Sequence, residues 1–314
     1  MQLLTSLYQG EGEVVGASLI TIKRQEQFAG QADLLAYPLV RPLTEFDRDE
    51  ALTFLRKAPI DAVHLIGRIE DHGMVSAAHR GQFFGYYENE ILLGVALLGH
   101  SIVIFGNDSS LQHFAQATIE YKVQCQVIFG SHNQVEKYGT YLENLGRQTR
   151  LVRLHQWLVC EHPSLSLKQL QLRRATLEEL DALTEIDAEM AFMASDRDPH
   201  VKDWQGFRNL IAERIERGRV WVKLEEGQIV FKVDVVNHTK SASYIEGIWV
   251  HPEYRGKGIA TICVSELVHR LFRKGSVVCL VVAPDEKSAA RVYEKVGFVS
   301  TGEYQSRYLK PLEA

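Results

Sequence analysis

The run Val250-His251-Pro252-Glu253-Tyr254-Arg255-Gly256-Lys257-Gly258-Ile259-Ala260 has the residue types of an anion cradle. The first N–H groups of a helix lack internal partners and together carry about half a positive charge. Glycine in front of them removes the side chain that would hold a phosphate away. Gly256 and Gly258 stand where such a helix would begin. A second set of reactive types follows in Ala289-Ala290-Arg291-Val292-Tyr293-Glu294-Lys295-Val296-Gly297-Phe298. There a tyrosine, able to give or take a proton, sits in a helical pattern that Gly297 can close.

The flanking patterns say how these residues are held. Tyr244-Ile245-Glu246-Gly247-Ile248-Trp249-Val250 is rich in β-branched and aromatic types and predicts a strand. Pro252 cannot donate to a ladder, so the strand stops before it. Ala260, Cys263, Val264, Leu267, Val268 and Leu271 recur at helical spacing, and Arg270, Arg273, Lys274 and Gly275 supply a C-terminal end. Val277–Ala283 is a nearly unbroken apolar run, expected as a strand buried on both faces, with Pro284-Asp285 ending it and Asp285 a helix N-cap. Strand, loop, helix and strand make a right-handed parallel crossover, and ligands bind at the carboxyl ends of such strands.

Arg255-x-x-Gly258-x-Ala260 resembles the Q/R-x-x-G-x-G/A signature of the GNAT superfamily of acetyl-CoA-dependent N-acetyltransferases. Ala289-x-x-x-Tyr293-Glu294-Lys295-x-Gly297-Phe298 is similar to that family's second motif, and the resemblance covers roughly residues 170 to 310. It implies acetyl transfer from acetyl-CoA to a primary amine. The backbone of Arg255, Gly256, Lys257, Gly258, Ile259 and Ala260 would hold the pyrophosphate, with Thr261 adding a hydroxyl. The strand Ile248-Trp249-Val250 would supply the oxyanion donor, and Tyr293 would protonate the departing thiolate. Glu246 is the candidate base, with Asp234 and His251 as alternatives. The family usually has Asn seven residues before the tyrosine; here that position is Glu286, a departure at one cofactor contact, with Ala289 in the same motif. Arg291 is expected either to reach the cofactor's nucleotide end or to pair with Glu294. No G-x-x-x-x-G-K-[ST] exists, and Thr261 replaces the third glycine of a dinucleotide fingerprint, so both other nucleotide readings fail.

The 314 residues are enough for two domains, and a net charge of −5 gives no nucleic-acid footprint. No apolar run approaches the ~20 residues of a spanning helix, and the N-terminus reads as no signal peptide. Cys125, Cys160, Cys263 and Cys279 read as buried thiols, so a cytoplasmic protein without a metal is expected.

The chain also repeats its layout. Thr44 and Asp47 occupy capping-box positions, as do Thr176 and Glu179. In each half two helical patterns follow, about 45–57 and 61–72, then 177–193 and 201–217. Each half continues with a strand, a Glu-containing turn, a long strand, a helix, a buried strand, a helix and a final strand. The expected fold is α/β: two tandem GNAT-like domains, each a mixed, mostly antiparallel sheet flanked by helices. The expected boundaries are 33–163 for a degenerate domain and 164–314 for the catalytic one, with 1–32 unassigned. In the first half Phe105-Gly106-Asn107-Asp108-Ser109-Ser110 replaces the phosphate loop, keeping one glycine and no arginine. That half either shapes the substrate site or only buries a face. The acceptor is expected to be a small-molecule amine. A protein lysine or N-terminal acetyltransferase and a non-catalytic acetyl-CoA-binding module are the alternatives.

Overall fold

Both halves open with the same side-chain arrangement. Thr44 gives its backbone N–H and its hydroxyl to the Asp47 carboxylate at 2.7 and 2.9 Å, and Arg41 closes on that carboxylate at 2.6 Å. Thr176, Glu179 and Arg173 repeat this at 2.7, 3.0 and 2.6 Å. The repeat read from the sequence therefore extends to contacts that satisfy the orphan donors of a helix start.

The computed structural model describes residues 38–164, 172–196 and 198–311. The segment 1–32, which fits neither repeat, lies outside them. The first half runs through β1 (Leu39–Pro42), α1 (Arg48–Leu55), α2 (Val63–His72), β2 (Gly81–Glu88), β3 (Ile91–Gly99) and β4 (Ser101–Gly106). It continues with α3 (Asp108–Glu120), β5 (Val127–Ser131), α4 (His132–Asn144) and β6 (Thr149–Cys160). The second half runs through β7 (Arg173–Arg174), α5 (Leu180–Ser195), α6 (Pro199–Lys202), α7 (Trp204–Glu216), β8 (Val220–Glu225), β9 (Gln228–His238) and β10 (Ala242–Val250). It continues with α8 (Ile259–Phe272), β11 (Val277–Val282), α9 (Lys287–Val296) and β12 (Val299–Leu309). The helical pattern at 201–217 is thus split, because Asp203 leaves helical geometry and caps α7 through Gly206 N–H at 2.9 Å.

The described strands form one sheet in the order β1-β2-β3-β4-β5-β12-β6-β11-β10-β9-β8-β7. The last strand of each half has crossed to the other: β12 lies against β5, and β6 lies against β11, all antiparallel. The two exchanged strands also pair with each other, from Val299 opposite Val159 to Leu309 opposite Thr149. Arg307 of β12 is 5% exposed and pairs with Glu143 of α4 at 3.1 Å and with Glu136. A side chain at Gly139 would meet Arg307 Nε at 2.5 Å, so the guanidinium would have to shift to admit one.

The exchange leaves an aromatic junction from both halves. Trp157 stacks on Tyr304 at 4.1 Å and on Tyr244 at 5.9 Å, within an apolar cluster that includes Val63 and Cys279. Residues 38–314 accordingly form one compact unit.

Arg41 lowers the Asp47 pKa to about 2, below the ordinary 3.8. A depressed carboxylate stabilises the fold above its unfolded pKa and loses that contribution as pH falls toward the folded value. Asp47→Asn should therefore cost about 1 kcal/mol at pH 7 in denaturant unfolding, the usual cost of a lost cap. The gap to wild type should close between pH 4 and pH 2; a gap independent of pH would count against the ion pair.

Candidate functional site

Strands β10 and β11 begin as a parallel pair, Ala242 with Val277 through Tyr244 with Cys279, and then separate. The cause is in β10. Its register against β9 slips between Glu246 and Trp249, and Gly247 there has φ +62. That φ suits glycine, and a bulge bends the strand that carries it. A Cβ at Gly247 would also meet Lys232 Nζ at 3.1 Å and Asp234 Oδ2 at 3.3 Å. Ile248, Trp249 and Val250 lie on the bent part, each half-buried.

The loop that follows leaves the start of a helix without a side-chain cap. His251 caps a short turn over Pro252–Tyr254 through Nδ1, and its Nε2 meets Gln228 at 2.8 Å. This alternative base is therefore held as a loop residue. Arg255 donates Nε–H to the Val250 carbonyl at 3.1 Å, which folds the loop back on the strand end. Lys257 lies over the Tyr254 ring at 5.0 Å. Gly256 and Gly258 have φ of +76 and +81, and a side chain at either would point into open space. Gly258 is the N-cap of α8 and offers no side-chain cap. The first helical bond runs from Ile262 N–H to the Gly258 carbonyl at 3.2 Å, so Ile259, Ala260 and Thr261 present N–H groups with no helical carbonyl to meet. An oxyanion ligand fits that end.

Behind the bulge lies a group of charges of which the sequence pointed only to Glu246 and Asp234. Lys232 is fully buried; it bonds Asp187 and lies 3.1 Å from the Asp234 carboxylate, which is 1% exposed. Arg214 of α7 reaches Asp234 at 3.2 Å and Glu246 at 3.5 Å. Asp234, the other alternative base, is thus bound between two cations. Arg68 from α2 of the first half faces Arg214 and Glu246 electrostatically. The signal available in the sequence was Lys232 and Asp234 inside the apolar strand Ile229–Val236. Buried charges of this kind must be paired.

Glu246 is the least satisfied of the acids. Its carboxylate keeps 40% of its surface, yet dense protein around it raises its pKa, and Arg214 only partly opposes that. Tyr293 of α9 is 6% exposed and packs edge-on against Phe298 at 5.8 Å. Burial raises its pKa, with Glu286 adding to the shift, so the phenol keeps its proton. Asp285 does not cap α9. Glu286 takes the N-cap position without a side-chain bond and is exposed, as is Arg291, while Ala289 is half-buried.

Gly258→Asp should weaken coenzyme A binding by roughly 100-fold, because it opposes charge to charge and strains the N-terminal N–H groups away from it. Calorimetric affinity equal to wild type would remove the loop from cofactor binding.

Residues 180–298 match the model of the Acetyltransferase (GNAT) family, and residues 81–183 match a domain of unknown function, DUF4081. No curated protein matches the chain. The fold is similar to an acetyltransferase of the GNAT family from Colwellia psychrerythraea, with TM-score 0.54 and 12% identity over 86% of this chain and 99% of that one. It is also similar to a GCN5-related N-acetyltransferase from Sphaerobacter thermophilus, with TM-score 0.54 and 14% identity over 88% and 96%. A tandem GNAT protein from the clavulanic acid biosynthesis pathway gives TM-score 0.53 and 11% identity over 88% and 99%. The diverging strands, the open helix end and the tyrosine helix all lie inside the matched residues, so the C-terminal half of this chain is a member of the GNAT acetyltransferase family, joined to a GNAT-like N-terminal half without the loop.

Proposed function

We propose that the chain moves the acetyl group of acetyl-CoA to a primary amine of a small molecule, at one centre in residues 164–314, with residues 33–163 as a degenerate partner domain. The observation that carries this is the uncapped N-terminus of α8, opened by Gly258 beside strands that diverge at Gly247.

Acetyl-CoA, once bound, supplies the activated acetyl group as a thioester. The protein's residues do the rest. N–H groups of residues 256–261 hold the pyrophosphate, Ile248 to Val250 border the acetyl end, and a backbone N–H there stabilises the oxyanion. Glu246, with its raised pKa, accepts the proton that the amine must lose before attack. Tyr293 donates its hydroxyl proton to the leaving thiolate. Glu286 and Ala289 border the nucleotide side of α9.

The packing of the first half beside the strands of the proposed centre favours a small-molecule acceptor over a protein chain. Helix α2 of the first half packs beside β9 and β10, held by Arg219 on Asp71 at 2.6 Å and His64 on Asn237 at 2.9 Å. The four cysteines are free and buried, and burial raises their pKa values, which suits a reducing, cytoplasmic setting. No described helix is long and apolar enough to cross a membrane.

Tyr293→Phe should lower turnover by roughly 10- to 1000-fold and spare coenzyme A affinity. Thiol release at the wild-type rate would exclude its role as acid. For Glu246 the base form is required, so kcat/KM should fall as pH drops through a carboxylate pKa above the ordinary 4.5. Glu246→Gln should lower kcat/KM and abolish that acid limb; an unchanged profile would move the base elsewhere.

A further inference from the structure

Strands β6 and β12 outrun β11. β11 pairs with β6 only as far as Val282 opposite Gln156, while β6 and β12 continue together to Leu309 opposite Thr149. Their free end closes on the second half. Arg150 lies over the Tyr308 ring at 5.7 Å and donates to the carbonyl of Ser195, the last residue of α5, at 2.5 Å. Tyr308 at this end also stands within the field of Glu246. The exchanged strands therefore wall the cleft on the side opposite the bent part of β10.

Cations dominate this wall. Arg150 and Arg153 both act on the Tyr308 phenol, and Arg68 of α2 approaches Glu246 from the first half. The side chains of Arg68, Arg153 and Tyr308 make no hydrogen bond and no ion pair among the described residues. Arg153 is exposed and the other two are half-buried, so a ligand can reach all three. Burial raises the Tyr308 pKa, the two arginines oppose that and Glu246 adds to it, so the phenol keeps a proton to donate. Arg68, Arg214 and Lys232 balance Asp187, Asp234 and Glu246; Arg150 and Arg153 then leave two positive charges in excess among these groups.

We propose, resting on the acetyl-transfer reading above, that the acceptor carries a carboxylate as well as its amine, as an amino acid does. Arg68 and Arg153, with the Tyr308 hydroxyl, hold that carboxylate while Glu246 faces the amine. Guanidinium forks and a phenol O–H match a planar carboxylate, which also offsets the excess charge. A plain alkylamine leaves that charge unopposed, and a diamine adds to it.

The test is thiol release from acetyl-CoA by the full chain, with the standard α-amino acids and, in parallel, their carboxamides. Each amide keeps the amine and removes the anion. Its amine is also less basic, so more of it is neutral, and a preference for the acid reports recognition. At least one acid should be acetylated with kcat/KM about tenfold or more above its amide. Arg153→Gln, at an exposed position, should cut that preference by about tenfold through the KM of the acid, and Arg68→Gln should do the same. Amides used as well as acids, or a preference that survives both variants, would overturn the proposal and leave acetyl transfer standing. Thiol release with neither series, from a protein that still binds coenzyme A, would overturn the acetyl-transfer reading and the proposal with it.

Discussion

The exchange of β6 and β12 is the constraint on which the other features depend. Each final strand covers the exposed edge of the other half's fifth strand, and the two then pair along nearly their whole length. Unpaired sheet edges are a liability, and here both are removed by one mutual crossing. The charged Arg307 is carried into the first half by the same crossing and must find Glu136 and Glu143 there. Trp157, Tyr244 and Tyr304 stack only because strands from both halves meet.

That joining brings the first half against the buried charges of the second. Helix α2 sits against β9 and β10, with Gly67 so close to Asn237 that a Cβ would approach it to 2.8 Å. Arg68 on this helix enters the field of Glu246 and Arg214. The six charges Arg68, Arg214, Lys232, Asp187, Asp234 and Glu246 sum to zero when all are ionised. Burial penalises each alone, and mutual pairing makes the set tolerable. Glu246 is the member left nearest to solvent and least firmly paired.

The two halves share a scaffold and differ at one connection. Between β10 and α8 there are eight residues, with two glycines at positive φ; between β4 and α3 there is one, Asn107, whose side chain fills the cap. An uncapped helix end accepts a phosphate oxygen, while a capped one beside Asp108 does not. Local features of this kind were legible in the sequence: the capping boxes at Thr44 and Thr176, the Glu-containing turns at Glu88-Asn89-Glu90 and Glu225-Glu226-Gly227-Gln228, and the glycine loop. Each depends on residues within about a turn of one another. The strand exchange was not legible, since nothing in the residues of β6 or β12 names the strand that each pairs with. Nor was the pairing of Lys232 with Asp187, which lie 45 positions apart. Asp285 failed as a cap because Glu286 took the N-cap position.

Under the proposed function, one loop in a chain built twice holds one coenzyme A per chain. Isothermal titration of coenzyme A into the full protein measures that directly. A stoichiometry of one, lost on Gly258→Asp, is the expected result; two sites per chain, or one site indifferent to Gly258, would contradict it.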